Sequence, residues 1–204
     1  MCGRFAIMFD PEELGQKLEL GDLPPDLKSN SNISPGTNIP VVLDAVDRNV
    51  KMFRWGLIPG WAKDVSVGYK MINARAETID EKPSFRVAFQ RRRCLIPADG
   101  FYEWKIEDGH KYPYLFTLKD RKPFTFAGLW ETWRSQEGGE INSCTIITTE
   151  PNSLVAQYHN RMPVILGYEN RWRWLEERTK EELKAMLIPC QSGIMDIPQQ
   201  VNRL

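Results

Sequence analysis

The feature that most limits this chain is the recurrence of short runs rich in β-branched and aromatic residues, each closed by turn-forming residues. Such runs occupy residues 4–9, 39–44, 50–58, 101–106, 112–119, 124–133, 141–149 and 163–166. Side chains of this kind fit a pleated, half-buried surface, so the framework is mostly sheet. Asp108-Gly109 lies between two of the runs and Gly138-Gly139 between two others. Both pairs supply the positive φ angles that tight hairpins demand, and antiparallel pairing should dominate.

Three helices are expected to interrupt the strands, giving an α+β fold that is mostly antiparallel sheet with a few flanking helices. Asp10 as N-cap, Pro11 in the first turn and Glu13 close behind predict a helix running to about Leu20. A second is predicted from Pro151-Asn152, with Leu154 and Val155 on its inner face and His159 at its end. A third, from Thr179 to Leu187, opens on a Thr179/Glu182 capping box and spaces Leu183, Met186 and Leu187 helically.

With 204 residues, 42% hydrophobic, the chain can bury one sizeable core. No repeat or linker breaks it, and Gly and Pro, 14 each, are scattered, so residues 1–204 are read as one domain. Lys+Arg and Asp+Glu both number 27, which excludes a strongly basic particle coating nucleic acid non-specifically. Any nucleic-acid site must be a local patch. The basic run Arg91-Arg92-Arg93 precedes a buried-looking strand and reads as a solvated face.

Four cysteines without a CxxC pair, and only His110 and His159 beside them, give no zinc spacing; neither metal nor cofactor is expected. Cys94, Cys144 and Cys190 read as small buried hydrophobes, and His110 as an exposed turn residue. The start has no secretory character and no apolar run reaches the ~20 residues of a membrane helix. The expectation is a cytoplasmic chain with reduced thiols, monomeric because it lacks a heptad pattern.

Cys2 is the unusual residue. Methionine aminopeptidases remove Met1 when the next residue is small, which would leave a cysteine with a free α-amine. The amine titrates near about 8 and the thiol near about 8.5, so both are partly active at neutral pH. Such a 1,2-aminothiol traps aldehydes: the amine forms an imine and the thiol closes a five-membered thiazolidine.

Several motifs follow Cys2 in order. They are Met1-Cys2-Gly3-Arg4-Phe5, Ile33-Ser34-Pro35-Gly36, Arg54-Trp55-Gly56-Leu57-Ile58-Pro59 with Trp61, and Asn73-Ala74-Arg75-Ala76-Glu77-Thr78. Then come Arg93-Cys94-Leu95-Ile96-Pro97, Gly100-Phe101-Tyr102-Glu103-Trp104, Ala127-Gly128-Leu129-Trp130-Glu131 and His159-Asn160-Arg161-Met162-Pro163. Together they resemble the SRAP (SOS-response-associated peptidase) family over nearly the whole length, and residues 197–202 resemble its closing strand.

The resemblance implies a barrel-like sheet core and an abasic-site protein of the DNA damage response, whose partner is single-stranded DNA carrying abasic sites. Mature Cys2 would cross-link the ring-opened sugar, with Asn73, Glu103 and His159 completing the catalytic set. Glu103 would move protons from an aromatic setting that raises its pKa. His159 would protonate the sugar ring oxygen, and Asn73 would hold the amine or a sugar hydroxyl. Arg4, Arg75 and Arg161 would grip phosphates, and Trp61, Trp104 and Pro35 would meet flanking bases.

Each residue also has a structural reading. Glu103 suits a strand-end ion pair, His159 a helix-end cap, and Asn73 a turn. Two other functions use the same features: a peptidase with Cys2 as nucleophile and His159 as base, and a non-covalent binder of single-stranded DNA. An imine intermediate would also allow weak strand cleavage by β-elimination.

Overall fold

The computed structural model describes residues 2–201. Met1, on which the free-amine expectation turns, and Asn202, where the closing-strand reading ends, lie outside the described residues. Strands are β1 (Phe5–Ile7), β2 (Asn30–Ile33), β3 (Asn38–Val42), β4 (Val50–Trp55), β5 (Asn73–Arg75), β6 (Arg93–Ala98), β7 (Gly100–Glu107), β8 (His110–Phe116), β9 (Phe124–Arg134), β10 (Glu140–Thr149), β11 (Met162–Pro163), β12 (Ile165–Leu166) and β13 (Gln199–Gln200). Helices are α1 (Pro11–Leu18), α2 (Arg86–Arg91), α3 (Tyr168–Arg171) and α4 (Lys180–Ala185).

Strands β10, β4, β3, β6 and β9 hydrogen-bond in that order, and β9 pairs back onto β10, closing a five-stranded barrel. Only β10 with β4 and β10 with β5 run parallel; the other described pairings are antiparallel. This is the expected α+β architecture. Barrel strands alternate strictly: Ile39, Val41, Phe53, Trp55, Cys94, Ile96, Phe126, Cys144 and Ile146 join one core. Val42, Val50, Leu95, Ala127, Leu129 and Ile147 join another with α2, α4 and Trp174. Both faces are dry, which is why β6 is buried from end to end.

A second sheet, in the order β13-β8-β7-β1-β2, packs on the first core. Phe5 meets Trp55 edge-on at 5.3 Å and Phe126 at 5.8 Å. Burying a side chain of that size contributes roughly 1.5–3 kcal/mol, so β1 is firmly docked and the residues before it have a fixed start.

The β7–β8 hairpin has the expected two-residue turn, with φ of 50° at Asp108 and 77° at Gly109. Gly138 takes φ 87°, but it lies inside the longer loop 135–139; that loop is no tight turn. Helix α1 starts as expected: Asp10 accepts the Glu13 N–H at 3.0 Å and Pro11 opens the helix. Helix α4 carries the Thr179/Glu182 capping box and buries Leu183.

The expected second helix does not form. Its place holds one 3₁₀ turn, Val155–Gln157. Asn152 Oδ1 accepts the N–H groups of Leu154 and Val155 at 3.1 and 2.9 Å, while its amide donates to the Cys190 carbonyl at 3.0 Å. An Asn side chain that satisfies nearby backbone this way competes with helix propagation. Helices α2 and α3 begin without a side-chain cap, so they left no start signal in the sequence. No helix among the described residues is long and apolar enough to cross a membrane.

Candidate active site

Cys2 is fully buried at the entry to β1. Its position follows from register: β1 pairs with β7 at Phe5↔Phe101, and Tyr102 N–H donates to the Arg4 carbonyl at 2.9 Å. The ladder therefore brings Glu103 beside Cys2. From the barrel side comes Asn73, the first residue of β5, held by parallel pairing with Ile146. Its Nδ2 donates to the Cys2 carbonyl at 2.9 Å, and its Oδ1 is buried with no donor among the described residues.

Glu103 is 1% exposed, and burial pushes its carboxyl from 4.5 up to about 7. The Cys2 thiol is held well above its ordinary range by burial and by the Glu103 carboxylate next to it. His159 follows the Val155–Gln157 turn, with Nδ1 4.0 Å from Glu103 Oε2. That Nδ1 accepts the Arg161 N–H at 3.0 Å, so the neutral ring carries its proton on Nε2. Burial lowers the His159 pKa. Four residues distant in sequence thus meet at one point, where burial pushes the Glu103 carboxyl up toward neutrality and favours the neutral form of the His159 imidazole.

The phosphate candidates are more dispersed. Arg75 is exposed on β5, two residues from Asn73 and so on the same face of the strand. Arg4 is half-buried and donates to Asn32 Oδ1 at 2.7 Å. Arg161 grips Glu77 through both terminal guanidinium nitrogens, Nη1 at 2.6 Å and Nη2 at 3.0 Å, and donates to the Thr148 carbonyl. Arg93 is buried and spent on carbonyls of Phe89, Trp174 and Glu176, and Arg92 pairs with Glu131. The run at 91–93 is therefore not the solvated face expected: Arg91 alone is exposed, because Arg92 is ion-paired and Arg93 caps backbone carbonyls.

Among the aromatics, Trp61 is 64% exposed. Trp104 is half-buried on the opposite face of β7 from Glu103, against Ala6, Tyr102 and Leu115. Pro35 sits in the turn before β3, where Gly36 has φ 88°. Tyr69, which none of the sequence motifs includes, is 64% exposed beside Gly36, with the Arg54 guanidinium 5.1 Å from its ring centroid. Only Arg54, in its motif, offered a signal. Among the described residues no His, Cys, Asp or Glu cluster could hold a metal. Cys94 and Cys144 are buried, and burial pushes their thiols up.

The family model for SOS response associated peptidase (SRAP) matches residues 1–204. The chain belongs to the SRAP family. The abasic site processing protein YoqW of Bacillus subtilis is 42% identical over 205 residues, covering 98% of this chain and 92% of that one. The abasic site processing protein HMCES of Xenopus tropicalis is 31% identical, covering 91% of this chain and 70% of its own. A crystal structure of a Bacteroides thetaiotaomicron protein superposes with a TM-score of 0.91 at 28% identity, covering 98% of this chain and 92% of that one. All eight SRAP motifs read from the sequence lie within the matched span.

Proposed function

We propose that this SRAP protein processes abasic sites in single-stranded DNA by covalent capture, as a DNA damage response protein. Met1 is first removed, by an aminopeptidase or by the chain itself. The freed Cys2 amine attacks the sugar aldehyde at C1′, a C–N bond forms, and the aldehyde oxygen leaves as water to give an imine. Cys2 Sγ then adds to the imine carbon, its proton passes to the nitrogen, and the thiazolidine closes. The balance is aldehyde plus aminothiol giving thiazolidine plus one water.

The observation that carries this reading is the convergence on Cys2 of Asn73 and of Glu103, a carboxyl with a pKa of about 7. Such a group can deliver the proton that leaves with water and accept the one released from sulfur. Asn73 Oδ1, buried with no donor among the described residues, receives an amine N–H in this reading. His159, with its proton on Nε2, donates to the sugar ring oxygen as the furanose opens. Arg4, Arg75 and Arg161 take phosphates; Trp61, Trp104 and Pro35 meet flanking bases. The relatives named abasic site processing proteins support the substrate.

The family's description as a peptidase favours a second reading, Cys2 as an N-terminal nucleophile with His159 as base. A thiolate is opposed there by burial and by Glu103, whereas capture led by the amine needs none. Intact mass and denaturing gels after incubation with a single-stranded oligonucleotide carrying one abasic site test both. The expected product is a heat-stable adduct, one water lighter than its parts and absent from Cys2→Ala and from undamaged DNA. Peptide turnover without an adduct would overturn capture in favour of the peptidase. Strand cleavage by β-elimination is the expected minor product.

A further inference from the structure

A groove of about 710 Å³ opens at the β12 edge of the barrel, where none of the four site residues reaches it. That volume lies within the about 300–1,000 Å³ of small-molecule sites. One wall is apolar, formed by Phe124, Leu166, Met186 and the 62% exposed Ile188, while Lys17, Asp120 and Lys122 also line the groove. Into this setting α3 brings Arg171, only 4% exposed.

Arg171 is the anomaly. Its guanidinium lies 5.0 Å from the Tyr168 ring centroid and 5.2 Å from that of Trp172, and its buried Nε has no acceptor among the described residues. Glu19 acts on Arg171 only from beyond salt-bridge distance, its carboxylate accepting Tyr168 OH at 2.7 Å and Arg48 Nη1 at 3.1 Å. The other cations of the groove have partners, Lys17 with Glu13 at 3.4 Å and Lys122 with Asp120 at 3.6 Å. A buried guanidinium cannot shed its proton, so it calls for an anion.

We propose that this groove is a binding site for an amphiphilic monocarboxylate, its aliphatic or aryl body on the apolar wall and its carboxylate on Arg171. One guanidinium matches one planar, singly charged acceptor bidentately. Of the groove's other donors, Lys17 and Lys122 are exposed and ion-paired and Asn170 and Gln191 are neutral, so Arg171 is the buried cation among them and sets the head group.

The probe is 11-(dansylamino)undecanoic acid titrated into the full chain and followed by dansyl fluorescence, with its neutral carboxamide as the matched control. Saturable one-to-one binding is expected, weakened about tenfold or more for the amide and for Arg171→Met, which keeps the stem's packing. Ile188→Glu, at the exposed rim, should also weaken the acid while leaving the melting temperature unchanged. Equal affinity for acid and amide, or no saturable binding, overturns the proposal even if Arg171→Met fails to fold. Undiminished binding to a folded Arg171→Met chain overturns it as well.

Discussion

Arg161 has two neighbours to serve. Its backbone N–H fixes His159, while its guanidinium is clamped by Glu77, whose carboxyl is held below its usual range by that contact. A phosphate must displace Glu77 to reach it. Glu77→Gln should therefore tighten binding of an unreactive tetrahydrofuran-site oligonucleotide about two- to fivefold at low salt, read by fluorescence anisotropy. Unchanged affinity with a lower melting temperature would make Arg161 a purely structural anchor. Glu103 has a second signature. Burial raises its pKa from 4.5 to about 7, so the folded chain holds that proton more tightly than the unfolded one. The stability it contributes is complete below about pH 4.5 and is lost as pH rises through about 7. Glu103→Gln should abolish adduct formation, yet gain about 1–3 kcal/mol relative to the parent between pH 5 and pH 8 in urea melts.

At the scale of elements, the 3₁₀ turn in place of a helix sets where His159 stands. Asn152 caps that turn and ties it to the Cys190 carbonyl. Asn152→Ala should cost about 1–2 kcal/mol in denaturant unfolding, and should slow single-turnover adduct formation more than a core substitution of equal cost. Equal slowing in both would mean that the turn matters for folding alone. A second device is the approach of Gly56, at φ 128°, to Gly68: a Cβ on Gly56 would lie 2.6 Å from the Gly68 carbonyl oxygen. That contact pins the loop presenting Trp61 and Tyr69. Strands and capped helices were legible because each carries a local signal, the Asp10 and Thr179 caps and the Asp108-Gly109 turn among them. Strands β2 and β5 carry little such signal: Asn30–Ile33 is rich in turn formers and is strand because Phe5 pairs with Ile33.

For the whole molecule, a net charge of zero means that DNA affinity rests on a few contacts. If three arginines meet phosphates, the slope of log affinity against log salt should be about −2 for a single strand; a much steeper slope would reveal a wider basic surface. The sequence alone determined the strand periodicity, the hairpin turn, two capped helices and the chain of motifs around Cys2, because these depend on neighbours within a few residues. Only the tertiary structure decided that β10 closes the barrel by pairing with both β9 and β4, which strand patterns buried on both faces leave open. It alone set Asn73 against the Cys2 carbonyl, since that contact joins two sheets 71 residues apart in the chain. It alone showed that Arg161 is held by Glu77 and that the buried Nε of Arg171 has no acceptor among the described residues, because desolvation depends on what packs around a charge and not on its place in the sequence.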